Sequence, residues 1–236
     1  MTPLASIIGP STARPPLPDA LHAPDGFLSV PVAIAMWVMT VAVLTVAVRR
    51  TNGALDERAV PLMGVMAAFI FAAQMFNFPV AGGTSGHLLG GVLAAILLGP
   101  WAGTLVMACV VAVQALLFQD GGLVVMGANI FNMGIVGTLG GYYVYRLLAS
   151  ALGGEARARI PAAAVAAWLA VEVGALAMSL QLIVSGTVPA QTTLPVMLGV
   201  HALIGIGEAL ITVGALAFIG SARRDLFDLR DASTHA

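Results

Sequence analysis

His22 and His87 are the side chains in this sequence best suited to hold a metal ion. His22 lies in Leu21-His22-Ala23-Pro24-Asp25-Gly26-Phe27-Leu28, where Pro24-Asp25-Gly26 is a turn that can fold the N-terminal segment back onto the apolar run beginning at Phe27. His87 ends Asn77-Phe78-Pro79-Val80-Ala81-Gly82-Gly83-Thr84-Ser85-Gly86-His87, a glycine-rich polar break between two apolar runs. Its glycines allow tight folding about whatever the loop holds. The two histidines are 65 positions apart (87 − 22), a spacing that carries no signal by itself. Two imidazoles suit zinc, copper, nickel or cobalt, whereas magnesium or calcium would call for a carboxylate cluster. The acidic residues here are scattered. The alternative is a pair of interfacial histidines with no ligand role.

Other polar groups interrupt the apolar runs. Gln74, Gln114, Gln181, Glu172, His201 and Glu208 are costly in hydrocarbon and are expected to face a bundle interior. Asn129 and Asn132, three apart, share a helical face. They would line the site, orient a histidine through its second ring nitrogen, or simply bond between helices. His201 and Glu208, seven apart, are expected to form a structural polar pair in preference to a proton relay.

The elements that position these groups are set by composition. The chain is 59% hydrophobic and 9% charged over 236 residues. That balance excludes a soluble globular domain and fits a polytopic helical membrane protein. Seven apolar segments are expected, at about 28–48, 60–78, 86–99, 101–118, 123–148, 161–185 and 195–220. Lysine is absent, and nine of the ten basic residues, all but Arg14, come after segments one, five and seven. The positive-inside rule then places the N-terminus outside and the C-terminus in the cytoplasm. His22, the loop ending at His87, Asp120 and the 186–194 loop share the outer face. Residues 1–20, rich in proline, lack the basic start and apolar core of a signal peptide and read as a disordered leader. Residues 223–236 form a cytoplasmic tail. Cys109 is expected as a small buried hydrophobe, and no basic cluster suggests nucleic acid. No phosphate loop, nucleophile elbow, HExxH or dinucleotide fingerprint occurs, so energy for uptake must come from a partner.

Leu21 to Ser29, then Phe76 to Val80, Gly82 to Gly91 and Leu98-Gly99-Pro100-Trp101 together resemble the CbiM/NikM family, over about residues 21–220. Members are substrate-binding S components of cobalt and nickel energy-coupling-factor transporters. The resemblance implies a metal held by four nitrogens: the α-amine of residue 21, the amide and imidazole of His22, and the imidazole of His87. A square-planar nitrogen set suits Ni(II) or Cu(II). It also implies a transmembrane T component, ATPase subunits and a small accessory membrane subunit as partners in the cytoplasmic membrane. Cobalt or nickel is then cargo, and no permanent cofactor is expected. Asp25, Asn77, Thr84, Ser85, Asn129 and Asn132 are expected to support the ligands. Ala68 and Ala72, spaced for close helix packing, are expected to touch the T component.

The sequence departs from the family pattern at its start. Family members begin Met-His, whereas here twenty residues precede Leu21-His22. Either the leader is removed or the start lies at Leu21, from a TTG or CTG codon read as methionine, which would restore that terminus. If the extension stays, the site has only two or three nitrogens and binds more weakly. The rivals to this reading are a self-sufficient channel or carrier and an intramembrane enzyme built on His201 and Glu208.

Overall fold

The computed structural model describes residues 22–53, 59–76, 78–79, 85–223 and 226–227. Among the described residues, seven helices succeed one another in the expected order. They are α1 (Val30–Asn52), α2 (Ala59–Gln74), α3 (Gly91–Leu98), α4 (Pro100–Leu117), α5, α6 (Glu155–Val184) and α7 (Ala190–Ala222). The fifth, α5, is α-helical over Met126–Asn129, π-helical over Ile130–Gly140 and α-helical again over Gly141–Ala151. Of these, α1, α4, α6 and α7 are long and apolar enough to cross a membrane.

On α1, Val30, Ile34, Val38 and Val41 form an exposed apolar stripe. Such a stripe is unfavourable in water but matches lipid. Arg49 and Arg50 close this helix, where cations oppose the terminal dipole. The starts of α6 and α7 differ from expectation. Pro161 and Pro195 read as helix beginnings, yet both lie inside helices that start earlier. Transmembrane helices tolerate proline because neighbouring groups satisfy the freed carbonyl. Cys109 also differs, lying exposed on α4.

The element that organises the bundle is the shortest. At eight residues α3 spans only about 12 Å, far too little to cross a bilayer alone. Its residues 91–97 are all buried, and it packs on α2, α4, α5, α6 and α7. Glycine makes that central position possible: a Cβ on Gly91 would lie 2.8 Å from the carbonyl carbon of Gly137 on α5. The extended stretch before α3 carries His87. A two-residue antiparallel pair, β1 (Phe78–Pro79) with β2 (Ser85–Gly86), closes the base of the loop that leads to it.

The segments bearing His22, His87 and Asp120 meet at one end of the bundle, as their expected common face requires. Val188 from the α6–α7 connection packs there too, against the cluster of Leu28, Ala33, Met36, Val125, Ala128 and Leu182.

Candidate metal centre

His22 is held by its main chain and its ring together. Its backbone N–H donates to Asp120 Oδ1 at 3.2 Å, and its Nδ1 lies 3.4 Å from the same oxygen and 3.4 Å from the Asp120 carbonyl. Those contacts place the proton on Nδ1. The other ring nitrogen, Nε2, is buried with no hydrogen-bond partner among the described residues.

His87 stands beside it. The ring centroids are 5.5 Å apart and the planes are inclined by 82°. With metal–nitrogen bonds of about 2.0–2.1 Å and roughly 1.1 Å from ring nitrogen to centroid, two rings sharing one ion have centroids no more than about 6.4 Å apart. The observed separation falls inside that limit. His87 Nδ1 lies 2.9 Å from the Leu88 carbonyl oxygen, which assigns its proton to Nδ1 and its lone pair to Nε2.

Two carboxylates from distant parts of the chain fix the histidine loops. Helix α5 has no capping side chain of its own. Asp25 supplies one: Leu123, Val124 and Val125 donate their N–H groups to its carboxylate at 3.1, 2.9 and 3.2 Å. Anions at helix N-termini are favoured by the exposed amides and the dipole. Helix α3 likewise begins at Gly90 without a side-chain cap. There Glu208 on α7 accepts from Leu89 N–H at 2.6 Å and Gly90 N–H at 2.9 Å. One carboxylate therefore anchors the His22 loop to α5, and the other anchors the His87 segment to α7.

A buried hydrogen-bond path joins the two histidines. Gln74 donates to the Leu89 carbonyl at 2.8 Å, and Gln114 donates to Gln74 Oε1 at 2.9 Å. The Gln114 carbonyl accepts from Asp120 N–H at 3.0 Å, and Asp120 holds His22. The turn between α4 and α5 makes this reach possible. Gly121 has φ +96°, and a Cβ there would lie 2.9 Å from the His22 Cβ. Gly122 N–H donates to the Ala23 carbonyl at 2.9 Å.

The structure distinguishes among the expected roles. Asp25 supports His22 through the α5 backbone and not through a ring. Asn129 donates to the Ala23 carbonyl at 3.1 Å. Asn132 is bonded to Gln181 in both directions, at 3.0 and 2.8 Å. Both asparagines line the cavity below the histidines, and these hydrogen bonds tie them to the Ala23 loop and to α6, not to an imidazole. The expected His201–Glu208 pair does not form, since His201 bonds the Met197 carbonyl and Glu208 bonds Leu89 and Gly90. Leu21, Asn77, Thr84 and the Ser85 side chain lie outside the described residues. Ala68 and Ala72 are exposed on α2. Sequence reasoning placed Asp120 on the right face without giving it a role. Its signal was Gln119-Asp120-Gly121-Gly122, a polar glycine turn between apolar runs like the one before His87.

A family model described as CbiM, cobalt uptake substrate-specific transmembrane region, matches residues 22–226. The chain belongs to the CbiM family. It is 41% identical over 214 residues to an Archaeoglobus fulgidus protein provisionally named a fused nickel transport protein, NikMN. That match covers 90% of this chain and 70% of the relative. A Sorangium cellulosum relative named cobalt transport protein CbiM is 34% identical over 171 residues, covering 71% of this chain and 76% of its own length. A crystal structure described as a truncated transition metal transporter superposes with a TM-score of 0.76 at 33% identity, covering 85% of this chain and 98% of its own. The chain is thus a multi-pass membrane component of a metal-uptake family, and its relatives are named as transport proteins and not as enzymes.

Proposed function

We propose that this CbiM-family chain is the metal-capturing S component of an ATP-driven importer for Co²⁺ or Ni²⁺ in the cytoplasmic membrane, with its histidine end outward. The observation that carries the reading is the 5.5 Å approach of the His22 and His87 rings, which α1 and α2 separate in the chain. The ion is held by His22 and His87 together with the amine of residue 21 and the amide of His22. A chelate of that kind needs the His22 main-chain nitrogen and Nδ1 to converge on one point. They do so at Asp120 Oδ1, at 3.2 and 3.4 Å, so the metal replaces a contact already formed. The ring proton then moves from Nδ1 to Nε2. Bonding through the amide releases its proton too, and Asp120 is the adjacent base. Hard ions such as Mg²⁺ are rejected because they neither prefer nitrogen nor displace that proton. Without a phosphate loop in its sequence, the chain relies on ATPase subunits coupled through a T component.

The test is Ni²⁺ and Co²⁺ binding by two purified forms, one carrying residues 1–20 and one beginning Met-His by Leu21→Met at the first position. Tight binding by the short form alone, abolished by His22→Ala and by His87→Ala, is expected. Equal binding by both forms would remove the amine from the site, and tight binding by the two alanine variants would overturn the site as a whole.

A further inference from the structure

The cavity beneath the histidine pair, about 400 Å³ in volume, continues between α5, α6 and α7 as far as His201. His201 is eleven residues into α7 (201 − 190), about 16.5 Å along its axis from the helix start. Its Nδ1 lies 2.7 Å from the Met197 carbonyl one turn earlier, which leaves the lone pair on Nε2. Met133, Met178 and Met197 line the same space. Met178 Sδ accepts from Asn132 Nδ2 at 3.5 Å, and Asn132 is itself fixed by Gln181.

A histidine bonded to its own helix is often no more than a satisfied core residue. Two features set His201 apart from that. An ionisable group inside a membrane span that lines a cavity marks a pathway far more often than a packing site. The cavity wall is also otherwise largely hydrocarbon, and a divalent ion cannot enter such a space unless ligands replace its lost water. Besides the Asn129 and Asn132 amides, already bonded to Ala23 and Gln181, imidazole and thioether are the donors present. Thioethers are soft, and they hold Ni²⁺ and Co²⁺ weakly while giving Mg²⁺ and Ca²⁺ nothing. Weak binding is what an intermediate station on a transport route requires, because the ion must also leave.

We propose that His201, with the thioethers of Met178 and Met197, forms a second, weaker site for Ni²⁺ or Co²⁺, occupied after the ion leaves the His22–His87 pair. The proposal rests on the reading of that pair as the capture site. The test is equilibrium dialysis of the form beginning Met-His at position 21, in nanodiscs, against radioactive Ni²⁺ and against Co²⁺. Two classes of binding are expected, at least tenfold apart in affinity. His201→Ala should remove the weak class and leave the tight one, whose survival proves the variant folded. Met178→Leu with Met197→Leu, close in size to the originals, should weaken the weak class several-fold. His22→Ala with His87→Ala should remove the tight class alone. A weak class that survives His201→Ala, or loss of both classes together, would overturn the second site. A tight class that survives His22→Ala with His87→Ala would overturn the capture site instead, and the second site would still be judged by His201→Ala.

Discussion

The main-chain nitrogen and ring Nδ1 of His22 meet at one carboxylate oxygen, Asp120 Oδ1. The side chain that sets the His22 geometry is therefore not one of the proposed ligands. In the proposed chelate the metal takes the place of this contact, and the adjacent carboxylate receives the proton that the amide releases on metal binding. Asp120→Asn keeps the shape but removes the negative charge and the base. It is expected to weaken Ni²⁺ and Co²⁺ affinity by about 10–100-fold, the range typical of groups that support metal ligands. Equilibrium binding checks this on protein whose helical circular dichroism matches the parent. An unchanged affinity would leave Asp120 a purely structural residue.

At the scale of elements, the two histidine segments are fixed by helix ends that cannot cap themselves. Gly90 and Val125 offer no side-chain acceptor, so Glu208 and Asp25 serve α3 and α5 from other parts of the chain. Glu208→Gln keeps one acceptor oxygen and sets an NH2 group against a backbone N–H. It is expected to cost about 1–3 kcal/mol locally. The sign is a loss of protection, so amide exchange at Leu89 and Gly90 should speed up even without metal, and metal affinity should fall with it. Unaltered exchange there would mean that α7 does not hold the His87 segment. These long-range caps also explain what was legible in the sequence. Apolar run lengths and arginine placement marked out the seven helices in order, and the polar turns marked both histidines. The partners of Glu208, Asp25 and Gln74 were not legible, because a backbone amide in a distant loop leaves no mark on residue type. Pro161 and Pro195 misled for a related reason: proline marks a helix boundary in water, but inside a bundle tertiary neighbours overrule it.

For the whole molecule, the proposed function divides capture from transport. If the histidine end captures the ion and ATPase subunits drive its delivery, the bundle needs a surface that transmits force from a partner. Helix α2 offers one. Ala68 and Ala72 are exposed one turn apart on it, and small residues at that spacing let a second helix approach closely in a bilayer. The same helix places Gln74 on Leu89, so a partner bearing on Ala68 and Ala72 lies two turns or less from the hydrogen-bond path to both histidines. We expect Ala68→Leu with Ala72→Leu to block the approach of the T component by bulk alone. Co-purification with that component and the ATPase subunits should be lost, and cellular uptake with it. Metal binding by the isolated chain should stay within about twofold of the parent, because additive behaviour is expected for sites without shared partners. Val38→Leu, a substitution on the exposed stripe of α1, is the control for a lipid-facing position and should leave assembly intact. If assembly and uptake survive the double leucine substitution, the driving contact lies elsewhere on the bundle. If uptake persists with the ATPase subunits absent altogether, the chain is a self-sufficient carrier, and coupling through α2 has no role.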